Sequence, residues 1–184
     1  MIIQDDTFLT ISEQEEFKQQ LLEAPYWRFM SKTNGTSPTG EALSSRDETF
    51  QFVCEIFSDE PMYLPTLTML HKFLSKHEIP IQQLIRIKSN ILTKSSNNGY
   101  HSIHVDQSYE HKVFLYYVND SDGDTVFFDQ FWSPDNPSIP NQLTEQIRVA
   151  PRQGLGVVFD GLQYHCSTSP TQTNMRCVIN IDFI

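Results

Sequence analysis

Short apolar segments, separated by turns and prolines, recur from about residue 81 to the end of the chain. They read QLIRIKSNIL, YHSIHVD, KVFLYYVN, TVFFD, a short segment near 147–149, LGVVFD and RCVINIDFI. The intervening SSNNG and DSDG have turn composition, and FWSPDNPSIPN, with three prolines, predicts a loop. Several short strands at regular spacing are typical of an all-β sandwich or barrel. The pattern therefore predicts a mainly β fold.

Helical patterns precede this strand-rich part. Ser12–Glu15 has the composition of a capping box, which predicts a helix that ends at Pro25. A second helix is expected to begin near Pro61 or Pro65 and to stop before Pro80. Its apolar face comprises Leu67, Leu70, Phe73 and Leu74. We expect both helices to pack outside the barrel and to cover one sheet.

Two further segments are read from composition. Residues 31–48 are rich in Ser, Thr, Asn and Gly, which predicts a long loop. Residues 49–57, TFQFVCEIF, fit a buried strand or a helical turn, because periodicity does not separate the two. The chain length of 184 residues suits one domain with a substantial core. We expect a single domain over 1–184, in which 1–80 give helical support and a short first strand, and 81–184 form the barrel core.

Charge and cysteine content restrict the partners and the compartment. A net charge of −10 argues against a broad nucleic-acid surface, which needs clustered Lys and Arg. The first residues are acidic where a signal peptide is basic, and no apolar run approaches the roughly 20 residues of a membrane span. Cys54, Cys166 and Cys177 lack metal-finger spacing, which favours a reducing compartment. We expect a cytoplasmic protein without membrane or nucleic-acid partners, of open oligomeric state.

His104, Asp106 and the distant His165 form a candidate metal site. Side chains alternate along a strand, so His104 and Asp106 point to one side and Ile103 and Val105 to the other. Two imidazoles and one carboxylate are the ligand set of non-haem Fe(II) oxygenases, although Mn, Co, Ni or Zn fit the same ligands. His165 follows LGVVFDG, in a turn or strand start, and would join the other two through tertiary closure.

The same residues have more ordinary interpretations. An isolated His-x-Asp is common by chance. His101 lies three positions before His104, so an extended segment would turn it to the opposite side, as a rim, substrate-side or surface residue. Arg176 shares a strand face with Val178 and Asn180 and can point into the barrel. It could bind a carboxylate cosubstrate, or form a salt bridge with Asp160 or Asp182.

Taken in order along the chain, these motifs resemble the prolyl-4-hydroxylase-like branch of the Fe(II)/2-oxoglutarate-dependent dioxygenases, over residues 84–184. His104-Val105-Asp106 is similar to the family's HxD, and Tyr116–Asn119 to its Y-Y-L-N strand. Asp122–Thr125 is similar to its G-G-x-T turn, and Pro151–Gly154 with Val157–Asp160 to the segment before the distal His. Compact members of this kind occur in bacteria and bacteriophages. Val178 replaces the serine that often follows the family's arginine, so a second cosubstrate hydrogen bond must come from elsewhere.

The resemblance implies a double-stranded β-helix, a cupin-like jelly-roll barrel, with a short first strand at residues 6–10. It implies Fe(II) held by His104, Asp106 and His165, with 2-oxoglutarate as cosubstrate and O2 as oxidant. The distal carboxylate of 2-oxoglutarate would be bound by Arg176 and Tyr117. Thr125 would line the cosubstrate pocket, and Asn90 would face the active site.

The implied activity is an iron- and 2-oxoglutarate-dependent hydroxylase. The substrate is unidentified; a peptidyl or free amino acid such as proline is favoured. Two other classes stay open at this point. One is a non-catalytic jelly-roll that binds or assembles through its barrel, and the other is a cupin-type metalloenzyme that does not use 2-oxoglutarate.

Overall fold

The computed structural model describes residues 1–31, 50–96 and 99–184, which contain ten strands and two helices. The helices are α1 (Ile11–Leu22) and α2 (Tyr63–Lys76). The strands are β1 (Ile3–Asp5), β2 (Arg28–Met30), β3 (Gln51–Glu55), β4 (Leu84–Thr93), β5 (Lys112–Tyr117), β6 (Thr125–Phe131), β7 (Glu145–Val149), β8 (Gly156–Asp160), β9 (Gln163–Ser167) and β10 (Met175–Phe183). Residues 32–48 of the predicted loop and 97–98 of the SSNNG turn lie outside the described residues.

The strands form two antiparallel sheets, which confirms the mainly β prediction. The larger sheet has the order β1-β8-β5-β10-β4-β3-β2, and the smaller one has the order β7-β6-β9. An apolar core lies between them, formed by Val113, Leu115, Tyr117, Phe127, Val149, Leu155, Val157, Phe159 and Val178. The predicted strand YHSIHVD is wrong as a regular strand: it pairs only through isolated bridges at Tyr100 and His104.

Both helices pack on the outer face of the larger sheet. Phe17 of α1 contacts Tyr116 of β5 with ring centroids 5.6 Å apart, and Phe73 of α2 contacts Phe114 of β5 at 4.9 Å. The start of α1 differs from the prediction. The capping box is Thr10 with Glu13: the Thr10 hydroxyl accepts from the Glu13 N–H, and the Glu13 carboxylate accepts from the Thr10 N–H.

Within the first 80 residues, the described parts 1–31 and 50–80 contribute three strands to the larger sheet, in addition to the helices. β1 pairs with β8, and β3 connects β2 to β4, so the described part of the segment, 50–57, contains a strand, Gln51–Glu55, and not a helical turn. The first strand predicted at residues 6–10 is wrong, because Thr10 caps α1 and the strand is Ile3–Asp5. β2 was not predicted; it is only three residues long and partly exposed, so it lacks an apolar pattern. For β9, the sequence left open a turn or a strand start at His165, and the structure has the strand.

Alternation along β10 separates the two sides of the larger sheet. Cys177, Ile179, Ile181 and Phe183 belong to the core beneath the helices. Arg176, Val178 and Asn180 face a cavity on the other side. Neither described helix is long and apolar enough to cross a membrane.

Replacing Phe73 by alanine tests how α2 is held. Phe73 is fully buried, and its ring centroid lies 5.1 Å from that of Phe8. We expect Phe73→Ala to lower the free energy of unfolding by about 3–5 kcal/mol in urea titrations, because it leaves a cavity beneath the helix. Leu64→Ala, on the exposed face of α2, should change it by less than about 0.5 kcal/mol. A loss below about 1 kcal/mol in Phe73→Ala would contradict the packing.

Candidate metal centre and cosubstrate pocket

Backbone pairing between residues 100–106 and β9 brings two histidines together. The N–H of each of His104 and His165 donates to the carbonyl of the other, at 3.0 Å in both directions. Residues opposite each other in an antiparallel pair have neighbouring side chains, and these imidazole centroids are 4.6 Å apart. His165 lies in the middle of β9, so it is placed by a strand and not by a turn.

Each imidazole is oriented by a backbone carbonyl. His104 Nδ1 lies 2.8 Å from the Ser102 carbonyl, and His165 Nδ1 lies 3.0 Å from the Gln163 carbonyl. A carbonyl can only accept, so these contacts assign the proton to Nδ1 and leave the Nε2 lone pair for a metal. Hydrogen bonds of this kind commonly fix the tautomer of a metal-bound histidine.

The Asp106 carboxylate uses its two oxygens differently. Oδ1 accepts a 2.6 Å hydrogen bond from Arg86 Nη2 and a longer one, 3.4 Å, from Asn180. Oδ2 is buried and lies 3.3 Å from His165 Nε2; while that nitrogen carries no proton, Oδ2 has no hydrogen-bond donor within residues 1–31, 50–96 and 99–184. Burial disfavours the charge, but His165, His104 and Arg86 outweigh it and hold the pKa of Asp106 well below its ordinary value.

These three side chains fit a metal ion. One potential ligand atom from each of His104, Asp106 and His165 lies within 4.8 Å of the others, and the orphaned Oδ2 needs a cation. Two imidazoles and one carboxylate on one side leave coordination positions open. Among the described residues no other group of three such side chains could hold a metal.

The expectation that His101 faces the side opposite to His104 is wrong. Tyr100 pairs with Thr168 but His104 pairs with His165, so four steps on one side match three on the other. Such a bulge resets the alternation, and both His101 and His104 line the same cavity. His101 is buried between the hydroxyl groups of Ser167 and Ser169, at 2.9 and 3.0 Å.

Arg176, Thr125 and Tyr117 form a cluster at another part of the cavity. Arg176 Nη2 and the Tyr117 hydroxyl both donate to Thr125 Oγ1, at 2.6 and 2.7 Å. Because this oxygen accepts two hydrogen bonds, the hydroxyl proton of Thr125 remains available to a ligand. Arg176 and Thr125 line the cavity, whereas Tyr117 lies fully buried behind them. Burial raises the pKa of Tyr117 to about 12.

Arg176 has no carboxylate partner among the described residues. It is 4 % exposed, and its Nε makes no hydrogen bond there. The two alternatives raised by the sequence are not realised, since Asp182 pairs with Arg86, and Asp160 accepts from the Leu162 N–H. A buried guanidinium without a counter-ion is costly. The arrangement is therefore suited to binding an anionic ligand.

The loop before Arg176 is held against the cluster. Both oxygens of Asp122 accept hydrogen bonds from residues 171–173, five in all, at 2.7–3.0 Å. Next to it, a Cβ at Gly123 would lie 2.7 Å from the Thr168 carbonyl oxygen and 3.1 Å from Arg176 Cδ. Only glycine permits this close approach without a shift of backbone atoms.

One cavity of about 500 Å³ contains the metal ligands, Arg176 and Thr125. Asn90 also lines it, but its amide donates to Gln51 at 2.6 Å and not to the arginine cluster. Sequence reasoning missed Arg86 and Lys88, which line the same wall. The alternation of Arg86, Lys88 and Asn90 along β4 was the pattern that would have identified them.

The overall fold is that of 2-oxoglutarate- and Fe(II)-dependent oxygenases. The chain is similar, over all its length and 83% of the other chain, to a prolyl hydroxylase from Trichoplax adhaerens in complex with a hypoxia inducible factor peptide, with 14% identity and a TM-score of 0.65. It is also similar to the non-heme alpha ketoglutarate dependent carbocyclase SnoK from nogalamycin biosynthesis (TM-score 0.71, 10% identity, 99% of this chain and 78% of that chain).

A third structure, the epimerase SnoN in complex with Fe3+, alpha ketoglutarate and nogalamycin RO, matches with 12% identity and a TM-score of 0.68, over 100% of this chain and 78% of that one. No protein-family model matches the sequence, and no curated protein matches it. The structural similarity confirms the predicted double-stranded β-helix.

Metal affinity should fall as the pH falls. Burial lowers the pKa of His104 to about 4, so this ligand is neutral near pH 7. Burial also opposes charge on His165, but contact with Asp106 outweighs it and raises the pKa of His165. A metal must then displace the His165 proton at pH values below that raised pKa.

We expect Mn2+ affinity to decrease by up to about tenfold per pH unit below the pKa of His165, with proton release approaching one per ion. Above that pKa, the Mn2+ affinity and the number of protons released per ion should each become independent of pH. Calorimetric titrations at pH 6 and pH 8, each in two buffers with different ionisation enthalpies, measure both quantities. An affinity independent of pH over this range would contradict the assignment of His165.

Proposed function

We propose that this protein is an Fe(II)- and 2-oxoglutarate-dependent oxygenase. One observation carries the proposal: a single cavity contains a His-Asp-His set with an orphaned carboxylate oxygen and a buried arginine without a counter-ion. A metal alone would satisfy only Asp106, and an anion alone would satisfy only Arg176. A ligand that chelates the metal and ends in a second carboxylate satisfies both, and 2-oxoglutarate has this form.

Iron bound to His104, Asp106 and His165 would supply oxygen activation, coupled to the oxidative decarboxylation of 2-oxoglutarate to succinate and CO2. The carbonyls of Ser102 and Gln163 keep both imidazoles in the ligating tautomer. Arg86 holds Asp106 through Oδ1 and so presents Oδ2 to the ion.

Arg176 and Thr125 are suited to bind the distal carboxylate of the cosubstrate. Arg176 supplies a charged donor and Thr125 its free hydroxyl proton, which takes the place of the serine hydroxyl absent at Val178. Tyr117 acts through Thr125, because its own proton is already donated to that oxygen. Asn90 contributes to the wall of the site.

A peptidyl or free amino acid such as proline is the substrate class we propose, with hydroxylation as the outcome. A prolyl hydroxylase among the similar structures supports it, while the carbocyclase and the epimerase show that this fold also serves small molecules. The three cysteines are free and buried, which suits the cytoplasmic location we propose. Residues 1–184 are proposed to form a single oxygenase domain.

Replacing a ligand should abolish iron-dependent turnover. We expect His104→Ala and Asp106→Ala to reduce succinate formation from 2-oxoglutarate, with added Fe(II) and no substrate, to background. His71→Ala, an exposed histidine on α2, is the matched control and should retain it. Unchanged turnover in either ligand variant would refute the ligand assignment. No turnover in the unaltered protein would favour a binding jelly-roll or a cupin that does not use 2-oxoglutarate.

Removing the arginine should affect the cosubstrate and spare the metal. In thermal-shift measurements with Mn2+, the inert analogue N-oxalylglycine should further stabilise the unaltered protein, since it binds the folded state. We expect Arg176→Met to weaken analogue binding by about 10- to 100-fold, the value of a charged hydrogen bond, and to leave the Mn2+ shift in place. Arg152→Met, at an exposed arginine, should behave like the unaltered protein. An unchanged analogue shift in Arg176→Met would exclude the assigned role.

A further inference from the structure

The strands β2, β3 and β4 form one wall of the cavity. In the larger sheet they lie on the opposite side of β10 from β5. The side chains of this wall that face the cavity are Arg28, Met30, Gln51, Val53, Glu55, Arg86, Lys88, Asn90 and Leu92. In register, Lys88 lies between Asn180 of β10 and Glu55 of β3. Lys88 is therefore next to Asn180, whose side chain contacts Asp106, and it lies two residues from Arg86 along β4.

Lys88 is a partly buried cation without a partner. Its ammonium makes no hydrogen bond or ion pair in the part of the chain that the structure describes, although Glu55 is directly opposite on β3. Burial and the positive charge of Arg86 lower the pKa of Lys88. Burying a charge is costly unless it is paired, so an anion bound at the cavity would stabilise this ammonium beyond the attraction of Asp106, Glu55 and Asp182.

The loaded site leaves Lys88 unbalanced. The two positive charges of the metal and the two negative charges of 2-oxoglutarate cancel. The two negative charges of Asp106 and Asp182 equal in number the positive charges of Arg86, which contacts both, and of Arg176, which contacts neither. Arg28 and Glu55, at the exposed end of the wall, carry opposite charges. Among the described residues that line the cavity, together with Asp182, the sum leaves one positive charge, and Lys88 is the partly buried cation there without a contacting carboxylate, in a chain whose net charge is −10.

We propose that Lys88 binds an anionic group of the substrate, and that the substrate is a carboxylate-bearing small molecule. The proposal rests on the oxygenase function above, and it specifies the substrate class of that site. The β2–β3–β4 wall is then the substrate wall, and Arg176 with Thr125 forms the separate cosubstrate end. An internal residue of a peptide has no carboxylate at its backbone, so a free amino acid fits this wall better.

Trifluoroacetate tests the site by fluorine NMR, with trifluoroacetamide as its neutral match. In Mn2+ protein saturated with N-oxalylglycine, bound Mn2+ should enhance the relaxation of trifluoroacetate saturably, and that of the amide much less. Lys88→Met should weaken trifluoroacetate binding by about tenfold or more, since a charged hydrogen bond is lost. Lys88→Arg should retain it. Lys94→Met removes the same charge at an exposed lysine outside the cavity and should have no effect.

A second arm separates this proposal from the oxygenase proposal. Without metal, trifluoroacetate is titrated into Arg176→Met, which lacks the other unpaired cation, and into Arg176→Met/Lys88→Met. Weaker binding in the double variant supports the Lys88 site even if the protein binds neither Mn2+ nor N-oxalylglycine. Equal binding in the two overturns it. In the Mn2+ protein, equal relaxation enhancement of trifluoroacetate and trifluoroacetamide also overturns the proposal. A loss of N-oxalylglycine affinity in Lys88→Met overturns it as well, because Lys88 would then be a cosubstrate residue.

Discussion

The antiparallel pair between His104 and His165 is the contact on which the rest of the site depends. It joins the chain after β4 to the middle of β9 through two backbone hydrogen bonds. The cross-strand geometry then brings the imidazoles together without any side-chain contact having to do so. Asp106 follows two residues later, and the bulge before His104 turns His101 to the cavity as well. The metal ligands are therefore positioned by backbone pairing, which is less sensitive to neighbouring side chains than a loop would be.

Electrostatics completes what the pairing begins. Arg86 contacts both Asp106 and Asp182, so a single guanidinium compensates two buried carboxylates. Burial lowers the pKa of Arg86, but the two carboxylates outweigh this and raise it. Removing one member of such a buried set leaves an uncompensated charge, which is why these interactions favour one arrangement of the wall. Asp106 Oδ2 is the oxygen that this set leaves without a donor.

Much of the fold could be predicted from hydrophobic periodicity and from the positions of prolines and turn residues. The strands β4, β5, β6, β8 and β10 and helix α2 have apolar patterns that tertiary contacts do not contradict. The alternation along β10 correctly separated Arg176 from Cys177. The prediction missed short elements for a physical reason. β2 has three partly exposed residues, and its pairing with β3 comes from contacts distant in sequence. The predicted orientation of His101 was wrong because a register shift leaves no local pattern in the sequence.

The site was less predictable than the fold, because residue types indicate chemistry while partners decide roles. Arg176 was expected to bind a carboxylate or to form a salt bridge, and only the pairing of Asp182 with Arg86 removes the second option among the described residues. Tyr117 was expected to contact the cosubstrate, yet its proton is donated to Thr125. Two buried or partly buried cations, Arg176 and Lys88, thus line one cavity without a contacting carboxylate among the described residues. Unpaired charges of this kind cost stability in the free protein, and anionic ligands that pair with them recover that cost on binding.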